Sequence, residues 1–219
     1  MGKIWKVVGL ILCIGLAVGV WRWTAPAPEW RDGDLIFQTS RSQQSKAILL
    51  ASRSFYTHIG IVKQTPNGWM VVEAVGPVKE TPLNAWVERG KFARYAVYRP
   101  KNLTEDQTRK VFATARKLYG RPYDIYFSFD NRSLYCSELA YLAFKPAGIE
   151  LGQRQAIGEL GVGEGAARKL IAKRAASDPD CKGLSSDACI AHVMSRKLVT
   201  PVSIARDTDV RKSYSNYPI

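Results

Sequence analysis

The residues best suited to covalent chemistry in this chain are its cysteines and histidines, and both are few. The 219 residues include four cysteines and two histidines. Cys181 and Cys189 share a polar, turn-rich segment, so we predict a disulfide between them. Two free thiols are the alternative, and a metal site is less favoured because only His192 lies nearby as a further ligand. With Cys13 in an apolar N-terminal run, Cys136 is the unassigned thiol, and we interpret it as a nucleophile.

Cys136 lies near the start of a predicted helix. The apolar pattern predicts this helix from Leu134 to Phe144, directly after an aromatic segment at 121–129. A helix N-terminus favours an anionic thiolate and supplies a backbone N–H group that can bind an oxyanion. We expect the aromatic segment to pack beside Cys136, with Tyr123 as a candidate oxyanion or substrate contact. A buried, inert cysteine in a core helix is the alternative and the commoner fate of a lone cysteine.

A β-hairpin is the strongest secondary-structure signal in the chain. Residues 58–63 and 69–75 are rich in β-branched side chains and flank an Asn67-Gly68 turn. A loop with an even number of residues would put His58 and Glu73 on one face, close enough to pair. His58 is therefore our candidate general base and Glu73 the carboxylate that orients it. A loop of three or five residues would separate them, and Glu73 would then point to solvent on an ordinary amphipathic strand.

Further elements are predicted from turn and capping residues and from the spacing of apolar side chains. A strand follows the Asp32-Gly33 turn, and Thr104 opens a helix with a capping-box pattern. We expect residues 207–219 to form a loosely ordered tail. The other predicted elements are a helix at 44–52, a helix at 82–89, a strand at 92–99, a helix-like stretch at 166–175 and a return to the core at 200–202.

The N-terminus has the character of an export signal or a membrane anchor. Two lysines precede the uncharged run from Val7 to Val20, and Trp21-Arg22-Trp23 follows it. Ala25-Pro26-Ala27 and Ala17-Val18-Gly19 are the candidate cleavage sites, and the prolines of the first favour an uncleaved anchor in the inner membrane. The domain would then face the periplasm; cleavage would release it there.

The net charge of +13 is spread along the chain without a long basic block. Such a surface favours anionic neighbours such as phospholipid head groups or acidic wall polymers. Nucleic acid is a disfavoured partner because an exported domain would rarely meet it.

Five motifs occur in order along the chain: Gly33-Asp34-Leu35-Ile36-Phe37, Ser40-Arg41-Ser42-Gln43-Gln44-Ser45-Lys46-Ala47, Thr57-His58-Ile59-Gly60, Glu73-Ala74-Val75-Gly76-Pro77-Val78-Lys79 and Tyr135-Cys136-Ser137-Glu138-Leu139. Together they resemble the YiiX-type permuted papain-like amidases of the NlpC superfamily, over about residues 32–151. The resemblance implies an α+β fold in which a barrel-like antiparallel sheet carrying the histidine precedes, and packs against, the helix carrying the cysteine. It also implies the roles of nucleophile for Cys136, base for His58 and orienting residue for Glu73.

Together, the sequence pattern and the resemblance predict a signal or anchor at 1–23, a linker at 24–31, a hydrolase domain at 32–206 and the tail. Within the domain, 152–199 match less well and are expected to cover one side of the cleft. No metal or organic cofactor is required by the thiol chemistry that the resemblance implies.

Three functions remain open. The first is an envelope cysteine amidase that cleaves a wall-peptide-like or related amide through a thioester. The second is a lipid acyl hydrolase or acyltransferase with the same thiol chemistry. The third is a catalytically silent binding module.

Overall fold

The computed structural model describes residues 28–42, 52, 54–130, 132–162 and 165–218. The predicted N-terminal segment at 1–23 and the predicted helix at 44–52, apart from its last residue, lie outside these ranges. Within them, no helix combines the length and the apolar character needed to cross a bilayer.

A six-stranded antiparallel sheet forms the centre of the molecule, and its strand order is β4-β3-β2-β1-β5-β8. A two-stranded sheet, β6-β7, lies apart from it. Across the described residues the ladder of the large sheet ends at β4 and β8 without closing. The strands are β1 Leu35–Gln38, β2 His58–Thr65, β3 Gly68–Ala74, β4 Val78–Pro82, β5 Tyr95–Pro100, β6 Gln155–Ala156, β7 Lys197–Leu198 and β8 Val210–Ser215.

The predicted hairpin is present as β2 and β3. Thr65 pairs with Gly68, so the connecting loop has two residues, and Ile61 pairs with Val72. Gly68 has a φ of +104°, a backbone conformation that glycine adopts without steric cost. Because the loop is even, residues 58 and 73 share a face of the sheet.

Apolar side chains alternate along the strands and build a core on each face of the sheet. Leu35 and Ile61 belong to the larger core, whereas Ile36 and Val62 belong to the smaller one with Trp86. The helices are α1 Leu83–Arg89, α2 Glu105–Lys117, α3 Cys136–Phe144, α4 Gly165–Ala175, α5 Ser186–Ser195 and α6 Pro201–Ala205.

Helices α2 and α3 cover the larger core. Helix α2 begins with the predicted capping box, in which Thr104 and Gln107 bond reciprocally, and buries Val111 and Ala115. Helix α3 is buried along almost its whole length, which agrees with its mostly apolar sequence. It begins at Cys136, two residues later than predicted, and Cys136 lies in its first turn as expected.

The segment from 152 to 199 is cross-linked internally by the predicted disulfide and by ion pairs, and hydrogen bonds connect it to the aromatic segment. Cys181 and Cys189 are bonded in the structure. Arg196 donates two hydrogen bonds to Asp178 and one to the carbonyl oxygen of Tyr126 in the aromatic segment. The segment is therefore fixed against the body of the domain.

Two predictions about the strands are wrong. Residues 207–219 do not form a loose tail, because β8 pairs along β5 at the edge of the sheet. The strand predicted at 92–99 begins only at Tyr95, since Phe92 and Ala93 have φ values of 58° and 49° and form a short turn. Left-handed residues cannot continue a pleated strand.

Candidate active site

His58 and Glu73 form a buried ion pair on one face of the hairpin. The Nε2 atom of His58 lies 2.6 Å from Oε2 of Glu73. His58 is 7% exposed and Glu73 is fully buried. A carboxylate this close orients the imidazole ring and stabilises its charged form.

Glu73 is held by three further donors that sequence reasoning missed. Its Oε2 atom accepts hydrogen bonds from Nε1 of Trp86 at 3.0 Å and from Nη2 of Arg89 at 2.5 Å, and its Oε1 atom accepts one from Thr81 at 2.6 Å. Burial by itself raises the pKa of Glu73, but hydrogen bonds from His58, Arg89 and Thr81 lower it to about 2. The carboxylate is therefore ionised at neutral pH.

Trp86 also packs against the imidazole. Its ring is stacked with that of His58 at a centroid separation of 5.8 Å and an interplanar angle of 24°. Trp86 thus contacts both members of the ion pair. The available sequence signal was the spacing of Trp86 and Arg89, three positions apart and hence on one side of α1.

Cys136 completes the group beside the imidazole. Glu73 bonds to Nε2 of His58, and the Cys136 side chain is a second hydrogen-bond and charge partner of the ring. Burial disfavours the charged imidazolium, but hydrogen bonds with Cys136 and Glu73 outweigh it and raise the pKa of His58 to about 9. The imidazole accordingly favours its protonated form beside the sulfur.

Two hydrogen bonds connect the start of α3 to the residue that follows β7. The Tyr135 hydroxyl accepts a hydrogen bond from the Val199 amide at 3.2 Å, and the Ser137 hydroxyl donates to the Val199 carbonyl at 2.9 Å. Both neighbours of Cys136 are therefore fixed. The amides of the first helical turn have no intrahelical acceptors and can bind a developing oxyanion.

The aromatic segment before α3 lies beside the cysteine, as expected. Phe127 contacts Tyr135 edge to face at 5.1 Å. Burial raises the pKa of Tyr123 well above its ordinary value, and the negative charge of Cys136 adds to the effect. Tyr123 therefore keeps its hydroxyl proton in the neighbourhood of Cys136.

A cavity opens beside Cys136, and its walls are mostly apolar. One wall comes from the aromatic segment and the start of α3, and the other from the 152–199 segment. Its apolar lining includes Ile125, Phe127, Ile157, Leu160, Leu170, Val193 and Leu198.

The structure brings Cys136, His58 and Glu73 together, with Tyr123 nearby. It places the other histidine, His192, at an exposed position on α5. Cys136 is the free cysteine of the described residues.

The chain matches the sequence model of the permuted papain-like amidase enzymes, the YaeF/YiiX or C92 family, over residues 29–213. It is 40% identical over 153 residues to the uncharacterized protein YiiX of Escherichia coli strain K12. These aligned residues make up 68% of this chain and 73% of that protein. It is also similar to the crystal structure of yiiX from Escherichia coli O157:H7, called a metalloprotein. That match has a TM-score of 0.73 and 32% identity, and covers 86% of this chain and 98% of the other.

Proposed function

We propose, from the premise that this chain belongs to the family of permuted papain-like amidases, that it is a cysteine hydrolase that cleaves an amide bond. In this proposal Cys136 is the nucleophile, His58 the general base and acid, and Glu73 the residue that orients the imidazole. The observation that carries it is the buried His58, which bonds to Glu73 and interacts with Cys136 at a helix start.

The mechanism follows from these contacts. The thiol proton of Cys136 has passed to His58 before the reaction, and the sulfur then attacks the carbonyl carbon of the amide. A helix-start amide and the Tyr123 hydroxyl stabilise the oxyanion. The C–N bond then breaks as the imidazolium gives its proton to the leaving amine. Water, deprotonated by His58, attacks the thioester, releases the acid and regenerates the thiol.

The Escherichia coli O157:H7 relative is called a metalloprotein, which raises the question of a metal in this chain. Within the described ranges no group of three or more His, Cys, Asp and Glu side chains is arranged to hold a metal ion. The Nε2 nitrogen of His58, a candidate metal ligand, is already bonded to Glu73. The residues do not fit a metal centre, and no step of the mechanism is routed through one.

The apolar cavity favours a second candidate, a lipid acyl hydrolase or acyltransferase with the same covalent chemistry. A hydrocarbon chain would bury its surface against walls such as Leu160 and Leu170, next to the sulfur. A wall peptide offers less apolar surface to this part of the cleft. The two candidates differ in the acyl group that reaches Cys136.

We also propose that the protein acts in the cell envelope. The disulfide between Cys181 and Cys189 supports an oxidising compartment. The uncharged run from Val7 to Val20 supports export or anchoring, and the net charge of +13 supports contact with anionic surfaces.

Trapping of the acyl group tests this function. The full chain is incubated with muropeptides or with phospholipid vesicles, and the peptide containing Cys136 is weighed by mass spectrometry after acid quench. We expect a thioester adduct in the wild type and none in Cys136→Ala. Turnover should fall at least a hundredfold in His58→Ala, and His192→Ala, which changes the exposed histidine, should behave as the wild type. Full turnover in a folded Cys136→Ala protein would refute the mechanism.

A further inference from the structure

The cavity beside Cys136 contains one cation in an otherwise apolar wall. Two charged residues line it within the described part of the chain, Arg174 on α4 and Asp178. Arg174 is half-buried, and its guanidinium carbon lies 5.7 Å from the centre of the Phe127 ring. The charge is thus located inside the cleft that receives the substrate.

The nearest carboxylates are already occupied by other donors. Both oxygens of Asp178 accept hydrogen bonds from Arg196, at 2.5 and 3.1 Å. Both oxygens of Asp124 accept hydrogen bonds from the backbone amides of residues 126, 127 and 128. Among the described residues, neither carboxylate therefore serves as the counter-ion of Arg174.

Arg174 itself forms no ion pair and no side-chain hydrogen bond with the rest of the described chain, whereas Arg196, at the end of α5, is paired twice. Burial lowers the pKa of Arg174, an effect that the negative charge of Asp124 opposes. A guanidinium keeps its charge under such conditions. Holding an unpaired cation against apolar walls costs free energy, which an anionic ligand would recover.

The cation shares its cavity with the reacting sulfur. Arg174 and Cys136 both line this cavity, and Tyr123 interacts electrostatically with each of them. A substrate with its carbonyl carbon at Cys136 therefore occupies a cavity whose wall also carries the cation.

We propose that Arg174 binds a carboxylate or phosphate group of the substrate whose carbonyl is attacked by Cys136, and so selects anionic acyl donors. This inference rests on the proposed function, since it names the class of substrate for the same site. The planar guanidinium would hold either anion through two parallel hydrogen bonds. A wall peptide would supply a carboxylate and a phospholipid would supply a phosphate.

The test uses matched alkylating probes and needs no turnover. The rate of Cys136 modification is measured by peptide mass for iodoacetate against iodoacetamide, and for 3-maleimidopropionate against N-ethylmaleimide. Each pair differs by one negative charge, and the two pairs carry it at different distances from the sulfur. The full-length variants are Arg174→Gln, Arg174→Lys and, as a control, Lys173→Gln, which removes an equal charge from the exposed neighbouring position.

We expect Arg174→Gln to lower the anionic-to-neutral rate ratio by roughly fivefold or more for at least one pair, because a nearby cation attracts the charged probe. Arg174→Lys should retain most of the ratio, and Lys173→Gln should leave it unchanged. Unchanged ratios for both pairs in Arg174→Gln, or an equal fall in Lys173→Gln, would overturn the proposal. These outcomes are separate from the proposed hydrolysis, which fails only if no acyl group is trapped on Cys136.

Protection assays identify the source of the anion. A soluble carboxylate-bearing muropeptide and short-chain phosphatidic acid are each tested for slowing the modification of Cys136 by N-ethylmaleimide. The ligand that protects the wild type but not Arg174→Gln carries the group that Arg174 binds. Equal protection of both proteins by each ligand would count against the proposal.

Discussion

The substitution Glu73→Gln separates the charge of the buried carboxylate from its hydrogen bonds. Oε2 of Glu73 accepts from His58, Trp86 and Arg89, so only an oxygen fits at that position. Oε1 faces the Thr81 hydroxyl, which can accept as well as donate. A glutamine amide would therefore fit with its nitrogen toward Thr81, and the site would lose a charge while keeping its shape.

The magnitude follows from the pKa of His58. The rise from 6.5 to about 9 corresponds to roughly 3 kcal/mol in favour of the imidazolium, at about 1.4 kcal/mol per pKa unit. Cys136 and Glu73 share this effect, so loss of the Glu73 charge should lower the pKa of His58 by about one unit or more. The imidazolium protonates the leaving amine, and the alkaline limb of the hydrolysis profile should move to lower pH by the same amount. For a shift of one unit the rate should fall about twofold at pH 8 and about tenfold at pH 10, where both proteins are mostly deprotonated at His58.

Histidine-selective NMR measures this change directly, because the chain contains only two histidines. The full-length protein in detergent micelles is titrated with isotope-labelled histidine, and the exposed His192 supplies the internal reference. We expect the His58 midpoint near pH 9 in the wild type and at lower pH in Glu73→Gln. An identical His58 midpoint in the two proteins would refute the view that the Glu73 charge sets the state of the imidazole.

Three further substitutions test the surroundings of the site. Trp86→Phe removes one donor to Glu73 but keeps a ring against the imidazole, and we expect kcat to fall by about three- to tenfold with little change in KM. Burial raises the pKa of Glu138 from 4.5 to about 8, so the wild type should lose stability as pH rises through this range. Urea unfolding of Glu138→Gln should therefore show a gain of roughly 2–4 kcal/mol at pH 8 and little gain at pH 4. Replacing Cys181 and Cys189 by serine removes a disulfide between residues eight positions apart. The free energy of unfolding should fall by about 2 kcal/mol in the same assay.

The hairpin and the helix start were predictable because local rules determine them. Side chains alternate between the two faces of a strand, and the turn has an even number of residues. These two facts were enough to put His58 and Glu73 on one face of the sheet. The position of Cys136 followed from the point at which an irregular aromatic segment gives way to an apolar helix. Neither inference needed contacts between distant parts of the chain.

The parts that were missed depend on long-range contacts. Strand β8 has exposed, charged residues such as Arg211 and Lys212, so it shows no apolar alternation. Its stability comes from backbone pairing with β5, more than a hundred residues earlier, as is common for edge strands. Trp86 and Arg89 gain their role only because folding brings α1 over the carboxylate of Glu73.

The 152–199 segment lines the cavity beside Cys136 and also bonds to the residues on either side of it. Its last residue, Val199, bonds both to Tyr135 and to Ser137, the two neighbours of the nucleophile. Its first helix carries Arg174 into the cavity. A chain without this segment would keep the Glu73 ion pair but lose these two hydrogen bonds to the helix start. The resemblance over 32–151 alone therefore understates what the nucleophile needs, in agreement with the family match that continues to residue 213.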